Sequence, residues 1–418
     1  MGKKAFLVGV ETYDMEYSIE YTLKELENLA KANNIEVVGK ISQKLDKINP
    51  KYYIGSGKIA EIKNECIALD VELVIFDDEL TPSQIRNIEK ELELEVMDRS
   101  LLILDIFSTR ANTTEAILET KLAKLKYMLP RLVGLNASLS RQGGGSGATS
   151  SKGAGEKQIE LDRRRISAEI VQLENKLNKV KQTRKIQRGQ RIKTEIPVVS
   201  LVGYTNAGKS TTFNTILKHC KIDDTKQVLE KDMLFATLGT SVRAVNLPNK
   251  QRILLIDTVG FVSKLPTLLI NSFRSTLEEI INSSLIIHVV DISNDHYQQQ
   301  IEITKNVLDE IGVTDIKELY LLNKCDKKEP PNFFIKGDSI NFSNKTNLNV
   351  DKLLKYIEDS VINENNTLID VNIPITDGKT ISLIDAYGII KAKIISKESI
   401  YYKAYIPNNV LSKFKDYL

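Results

Sequence analysis

The sequence predicts an α/β protein. A mostly parallel sheet with helices on both faces is preceded by a smaller α/β unit with a long helical hairpin and followed by a small α+β unit. Three observations carry this expectation. Short apolar runs of buried-strand type alternate with amphipathic stretches. Two long helical stretches flank a glycine-rich turn, and a second glycine-rich loop follows a strand and opens a helix. The chain has 418 residues, room for about two to four domains. The expected divisions are 1–110, 111–194, 195–364 and 365–418.

In the first stretch, Ala5–Val10, Glu36–Ile41 and Glu72–Phe76 read as strands. Met1–Val10 mimics a signal peptide, but Glu11 ends the apolar run and no small-residue cleavage site follows. Ile19–Lys31 and Ile59–Leu69 read as helices, with Leu23, Leu26 and Ala30 on one face of the first. Thr81-Pro82 supplies a cap and a first-turn proline for a third. Gly55-Ser56-Gly57 lacks the third glycine of a dinucleotide fingerprint and reads as a turn capping the helix at Ile59.

Helix is expected over Asn112 to about Met128 and over Gly155 to about Arg188. Ile159, Ile166, Ile170, Leu173 and Leu177 recur at threes, fours and sevens, so the two should pack as an antiparallel hairpin. Between them Arg141–Gly155 carries so many glycines that neither helix nor strand is expected. Composition leaves it as a flexible linker or as a mobile tip that lets bare backbone approach RNA, with Arg141 and Lys152 meeting phosphates. From Glu195 on, Ile196–Val202, Leu254–Ile256, Leu285–Val290 and Leu319–Leu322 read as buried parallel strands.

Hydrophobic residues make up 42% and charged residues 27%, a soluble globular composition that excludes collagen, a disulfide miniprotein and wholesale disorder. No run approaches the roughly 18 apolar residues of a membrane span, so no stable membrane insertion is expected. Cys66, Cys220 and Cys325 stand singly, which supports neither a disulfide frame nor a CxxC metal site and fits a reducing cytosol. His219, His288 and His296 show no metal spacing and read as structural.

Net charge is +3, yet Lys121–Lys193 holds 18 Lys/Arg against 5 Asp/Glu. The rest of the chain is therefore acidic. Such asymmetry points to a polyanion on one segment; a solvated helical face is the plainer alternative.

Gly203-Tyr204-Thr205-Asn206-Ala207-Gly208-Lys209-Ser210 matches GxxxxGK[ST] in full, between a strand and a helix, and Thr211 is expected to bind the nucleotide with it. Phosphates need many donors at once. The glycines let backbone N–H groups converge, the helix N-terminus adds its positive end, and Lys209 bridges the outer phosphates. Ser210 can ligate Mg²⁺ directly. Asp257-Thr258-Val259-Gly260 ends a strand, where the carboxylate can hold Mg²⁺ through water and the glycine N–H can sense a γ-phosphate. Asn323-Lys324-Cys325-Asp326 ends the next strand but one. Asp326 can accept two N–H donors from guanine, whereas adenine would leave that charge unpaired. Together the three motifs specify a GTP- and GDP-binding P-loop GTPase. Ser343-Asn344-Lys345 stands where GTPases usually read Ser-Ala-Lys, or it is a polar loop.

The P-loop wording, Leu234-Phe-Ala-Thr-Leu238, and Asp257-Thr-Val-Gly-Phe261 followed by Leu265-Pro266 closely resemble the HflX family of ribosome-associated GTPases. So do Tyr53–Lys58, Asp77-Asp-Glu-Leu80, Asp98-Arg99, Ile106-Phe107 and Arg141–Gly145. The likeness covers roughly residues 1–365. It implies that Thr237 coordinates Mg²⁺ and that Phe235, Ala236, Leu238 and Gly239 line the nucleotide with it; Gly239 replaces the family's usual Asp. Phe261 occupies the place where many GTPases carry a water-orienting glutamine, so slow intrinsic hydrolysis, stimulated by a partner, is expected. Asn206 sits where potassium-stimulated GTPases hold a monovalent cation, which makes K⁺ a second expected cofactor.

The resemblance further implies a cytoplasmic, stress-linked factor, with a peripheral membrane-associated fraction, that binds the large (50S) ribosomal subunit and its rRNA and splits stalled or idle ribosomes; the nucleotide site needs no partner chain, so a monomer is expected. No DNA partner is expected. Arg141 and Lys152 at the turn and Arg163, Arg164 and Arg165 on the second helix are the expected RNA contacts. The alternative is a GTP-dependent switch that recruits a protein partner. ATP-driven RNA remodelling would need a second phosphate site, which residues 1–193 do not offer.

Overall fold

The computed structural model describes residues 2–13, 15, 17–141, 149–193, 196–220, 241–266, 279–328, 338–362, 366–414 and 417. These fall into two units. One is Met1–Lys185 together with the segment that begins at Phe261; the other holds Ile186 onward, including the stretch that ends at Gly260 and the C-terminal residues.

In the first unit, β1 (Lys4–Glu11), β2 (Glu36–Lys44), β3 (Leu73–Phe76) and β4 (Glu95–Asp98) form a parallel sheet in the order β2-β1-β3-β4. The helices are α1 (Ile19–Ala32), α2 (Ser56–Ala68), α3 (Pro82–Leu92) and α4 (Arg99–Arg110). Local chemistry sets their starts. Ser18 accepts the Tyr21 N–H ahead of α1, Gly55 caps α2, and Thr81 and Gln84 form a reciprocal capping box ahead of Pro82. Asp98 opens α4 by accepting the Leu101 N–H at 2.9 Å.

The hairpin is longer than expected. α5 runs Thr114–Arg141, through Pro130, and α6 runs Thr149–Lys193. Lys152–Gly155 are therefore helical, against the expectation of an irregular Arg141–Gly155; residues 142–148 lie outside the described residues. The energetics explain the correction. An interior proline costs about 3 kcal/mol and a glycine about 1 kcal/mol, but extending an existing helix gains one hydrogen bond per residue without a new nucleation step. Tertiary contacts reinforce the turn at Pro130. The Arg131 guanidinium lies 3.2 Å over the Tyr127 ring and donates to Tyr127 O at 2.7 Å, Leu80 O at 3.2 Å and Asp98 Oδ2 at 3.1 Å. Leu122 packs with Ile170, Leu173 and Leu177, flanked by Leu118, Leu125, Leu129 and Ile166. Lys121–Glu169 at 2.6 Å and Lys126–Glu174 at 2.7 Å bridge the two helices.

A buried ionic cluster lies in the same unit. Arg99 is 1% exposed and donates through Nη1 to Asp77 Oδ1 at 2.8 Å. Its Nη2 reaches the Glu25 carboxylate, Ser263 Oγ at 2.9 Å and Ser263 O at 3.1 Å. Ser263 Oγ also bonds Glu25, and Lys264 Nζ lies 2.7 Å from Asp77 Oδ2 and 2.5 Å from Asp78 Oδ1.

In the second unit, six strands run in the order β10-β9-β8-β5-β7-β6. They are β5 (Val198–Val202), β6 (Ser241–Asn246), β7 (Arg252–Asp257), β8 (Leu285–Asp291), β9 (Glu318–Asn323) and β10 (Asp338–Asn341). All pairs are parallel except β6 with β7. Helices α7 (Lys209–His219), α8 (Tyr297–Glu310) and α9 (Val350–Ser360) accompany them. Val199, Leu201, Leu255, Ile287 and Leu321 fill the core with Phe213 of α7 and Leu353 of α9. Such near-continuous apolar strands are what two covered faces require. The chain continues through β11 (Asn366–Pro374), α10 (Gly378–Tyr387), β12 (Ile389–Ile395) and β13 (Ser399–Pro407), an antiparallel β11-β13-β12 sheet closed by Ile373, Ile384, Tyr402 and Phe414. No described helix is long and apolar enough to cross a membrane.

Candidate functional site

Four sequence motifs meet at the C-terminal edge of the parallel strands, where open α/β sheets bind ligands. The loop Gly203–Gly208 joins β5 to α7. Gly208 is the N-cap of α7 at φ +99°, and a Cβ there would come within 2.3 Å of Asn323 Nδ2. Only glycine suits both that backbone and that approach. Tyr204, Thr205 and Ala207 are buried, and Thr205 Oγ1 has no hydrogen-bond partner among the described residues.

Lys209 opens α7 and is 6% exposed. Its ammonium folds over the loop, donating to Gly203 O at 3.0 Å and Tyr204 O at 2.7 Å. Burial lowers its pKa from the ordinary lysine value to about 8, and the nearby Asp257 opposes that only partly. A cation held against carbonyls in a desolvated loop is poised for a polyanion.

Ser210 Oγ donates to Asp257 Oδ2 at 2.7 Å. Hydroxyl and carboxylate thus stand together at the mouth of the loop, a hard-oxygen donor set that fits Mg²⁺. Bound there, Mg²⁺ would neutralise charge on the β- and γ-phosphate oxygens; Ser210 would be a direct ligand and Asp257 would act through water. Thr258 Oγ1 donates to Leu201 O at 2.7 Å and Val259 is buried, so β7 and β5 are fastened just before Gly260. A Cβ on Gly260 would fall within 2.8 Å of Thr205 Cγ2 and 2.9 Å of Lys209 Nζ. Close approach to the loop, rather than a special φ, makes glycine necessary at that position.

On the base side, Asn323 Nδ2 donates to Ala207 O at 2.8 Å. Lys324 Nζ donates to Asn206 O at 2.9 Å and to Asp291 Oδ2 at 2.7 Å. Asn206 itself adopts φ +61° and is exposed. Ser343 Oγ donates to Asp326 Oδ1 at 2.6 Å and holds that carboxyl below the usual carboxylate range. Lys345 is exposed. Asp291 joins this network through Lys324, with its place at a strand end as the only sequence hint, and the α7 hydroxyls Thr212 and Thr215 bond the Asn344 side chain with no sequence signal.

The expected switch residues Phe235, Ala236, Thr237, Leu238 and Gly239 lie outside the described residues. Phe261 is 3% exposed and belongs to the first unit, as a packed side chain does. His219 Nδ1 lies 2.9 Å from Thr215 O, His296 Nδ1 lies 2.8 Å from Gln299 Oε1, and His288 stacks on Tyr320 at 5.3 Å. Burial, then the charges of Lys305 and Lys209, push His288 down to about 3. Among the described residues no cluster of three or more His, Cys, Asp or Glu is gathered for a metal.

Three family models match in succession: "GTP-binding GTPase N-terminal" over residues 20–108, "GTP-binding GTPase Middle Region" over 110–191 and "50S ribosome-binding GTPase" over 198–324. GTPase HflX of Lacrimispora saccharolytica is 40% identical over 417 residues, covering 99% of this chain and 96% of that one. The chain belongs to the HflX GTPase family. GTPase HflX of Escherichia coli K12 is likewise 40% identical, over 78% of this chain and 74% of its own. A GTP-binding protein from Sulfolobus solfataricus in complex with GDP shares 25% identity at a TM-score of 0.43, covering 86% of this chain and 98% of that one.

This HflX-family protein is therefore a GTPase that binds GTP and hydrolyses it to GDP and phosphate. The residues described above would orient the reactants and offset phosphate charge. The depressed Lys209 pKa gives the first test. A bound triphosphate favours the charged ammonium and returns the pKa upward. Above about pH 8 the ammonium of Lys209 gives up its proton before nucleotide arrives, so binding must take up a proton, approaching about one near pH 9 and falling towards zero from this group at neutral pH. Calorimetry in buffers of different ionisation enthalpy reads that number directly. Binding heats independent of buffer at pH 9 would show that Lys209 is already charged.

Proposed function

We propose that this HflX-family GTPase binds the large ribosomal subunit in its GTP–Mg²⁺ state and splits stalled or idle ribosomes into subunits under stress. The observation that carries the reading is the joining of a strongly basic hairpin to a guanine-nucleotide site. Lys121–Lys193 carries 18 basic and 5 acidic residues, and Arg163, Arg164 and Arg165 are exposed on α6. Within that face only Arg164 of the three has an ion pair among the described residues, with Glu160 at 2.6 Å. Arg141 is the last residue of α5 and Lys152 lies in the first turns of α6. These cations would track rRNA phosphates. The description "50S ribosome-binding GTPase" of the matching family model agrees with this.

GTP–Mg²⁺ would order Thr237 and Gly260 and favour the tightly bound state; hydrolysis would release the factor. With Phe261 in place of a water-orienting glutamine, the ribosome would complete the catalytic arrangement. The protein would act in the cytoplasm as a monomer, with Mg²⁺ at Ser210 and K⁺ at Asn206.

Sucrose gradients of purified ribosomes, with a non-hydrolysable GTP analogue, test the reading. Co-sedimentation with large subunits, loss of the whole-ribosome peak and faster GTP turnover are expected, with turnover higher in K⁺ than in Na⁺. Changing Arg163, Arg164 and Arg165 to Glu should weaken association by about 10²-fold or more and flatten its salt dependence. Undiminished binding by that variant removes the hairpin as the RNA surface. Intact ribosomes with no stimulation of turnover favour a switch that recruits a protein.

A further inference from the structure

The side chain of Asn344 does something that its backbone does not. At the place where an alanine suffices for main-chain contacts to a base, the carboxamide turns towards α7. Asn344 Nδ2 donates to Thr212 Oγ1 at 2.9 Å and to Gly208 O at 3.4 Å, while Thr215 Oγ1 donates to Asn344 Oδ1 at 3.0 Å. Gly208 O can only accept, which fixes the amide orientation. The Asn344 N–H donates to Asn323 Oδ1 at 3.3 Å, and Asn323 in turn grips Ala207 O.

We propose that Asn344 is a positioning residue for nucleotide retention. Its amide ties the loop after β10, which faces the base, to the helix that carries the phosphate cradle. Base loop and phosphate loop then open together instead of one at a time, and bound nucleotide leaves only when both let go. The network is partly buried, where a hydrogen bond resists competition from water. A phosphate loop without this amide would keep the Asn323 bond to Ala207 O and the Lys324 bond to Asn206 O but lose its tie from the loop after β10.

The experiment is release of fluorescent GDP from the full-length protein in excess Mg²⁺. Asn344→Ala should speed release about tenfold, the effect of losing three side-chain hydrogen bonds at the weak end of ordinary net strength. Thr215→Val should speed it about threefold, and the double variant should be no faster than Asn344→Ala alone, because the two groups serve one contact. In steady-state turnover the KM for GTP should rise with the release rate while the saturated rate moves less than about twofold, a split that mere loss of fold would not give. Asn344→Asp keeps the volume but removes the donor to Thr212 and Gly208, and should also release faster; it serves if the alanine variant does not fold. Wild-type release rates in both Asn344 variants, or effects of Asn344→Ala and Thr215→Val that multiply, overturn the proposal.

Discussion

Replacing Asp326 by Asn should lower affinity for GTP by about 10²–10³-fold and let the protein accept xanthosine triphosphate instead. The Ser343 hydroxyl, 2.6 Å from Oδ1, holds the Asp326 carboxyl below the usual carboxylate range, so guanine would meet an anion there. Guanine presents two adjacent N–H donors, and hydrogen bonds to a charged acceptor contribute about 1.5–3 kcal/mol each. Asn offers one acceptor and one donor, so one guanine N–H meets another N–H. Xanthine replaces the guanine amino group with a carbonyl, which the new amide can satisfy. Lys324 and Asn323 remain to hold the phosphate loop through Asn206 O and Ala207 O, so the change should fall on base choice and leave triphosphate binding otherwise intact. Titration of the two nucleotides against both proteins decides it. GTP affinity within about threefold of wild type would mean that another group reads the base.

Arg99→Met should destabilise the first unit by about 3–5 kcal/mol, the usual cost of stripping one partner from a buried ion pair. Arg99 is 1% exposed, with Asp77 fully buried and Glu25 nearly so, so the change strips one guanidinium from two carboxylates in a desolvated site and leaves Lys264 as the cation beside Asp77. Against the roughly 5–15 kcal/mol that holds a domain folded, that is a large share. Hydrogen exchange of β1 and β3 amides in the full chain reads it locally, with rates rising about 10²-fold or more where exchange follows unfolding of the unit. Adding Glu25→Gln should recover part of the loss, since removing both charges is far cheaper than removing one. Unchanged exchange in β1 and β3 would show that the cluster is dispensable.

The sheet that carries the nucleotide site was legible because β5, β7, β8 and β9 are buried on both faces and read as apolar runs. The loops at their ends carry motifs whose residue types are dictated by phosphate and guanine. The short strand β4 was missed, as were β6 and β10, whose residues include Ser241, Arg243 and Asn246 or Asp338 and Asn341. Such edge or four-residue strands have too little periodicity to declare themselves. Pro130 and the glycines near Gly153 hide the length of the hairpin helices, because their local cost does not show the hydrogen bond that each residue added to an existing helix supplies. The Arg99 cluster joins residues up to 238 apart in the chain, and no local pattern encodes such a meeting. Asn344 could be flagged in sequence only as a departure from alanine; its partners on α7 come from the fold.

Gly260 and Phe261 are neighbours in the chain but belong to different units, and three residues further on Ser263 and Lys264 are locked to Glu25, Asp77 and Arg99. A fragment trimmed to begin near residue 195 would keep the captive strap and discard its dock. Kinetics measured on such a fragment would report a loop cut loose from its moorings, and differences from the whole chain would gauge what the anchorage contributes.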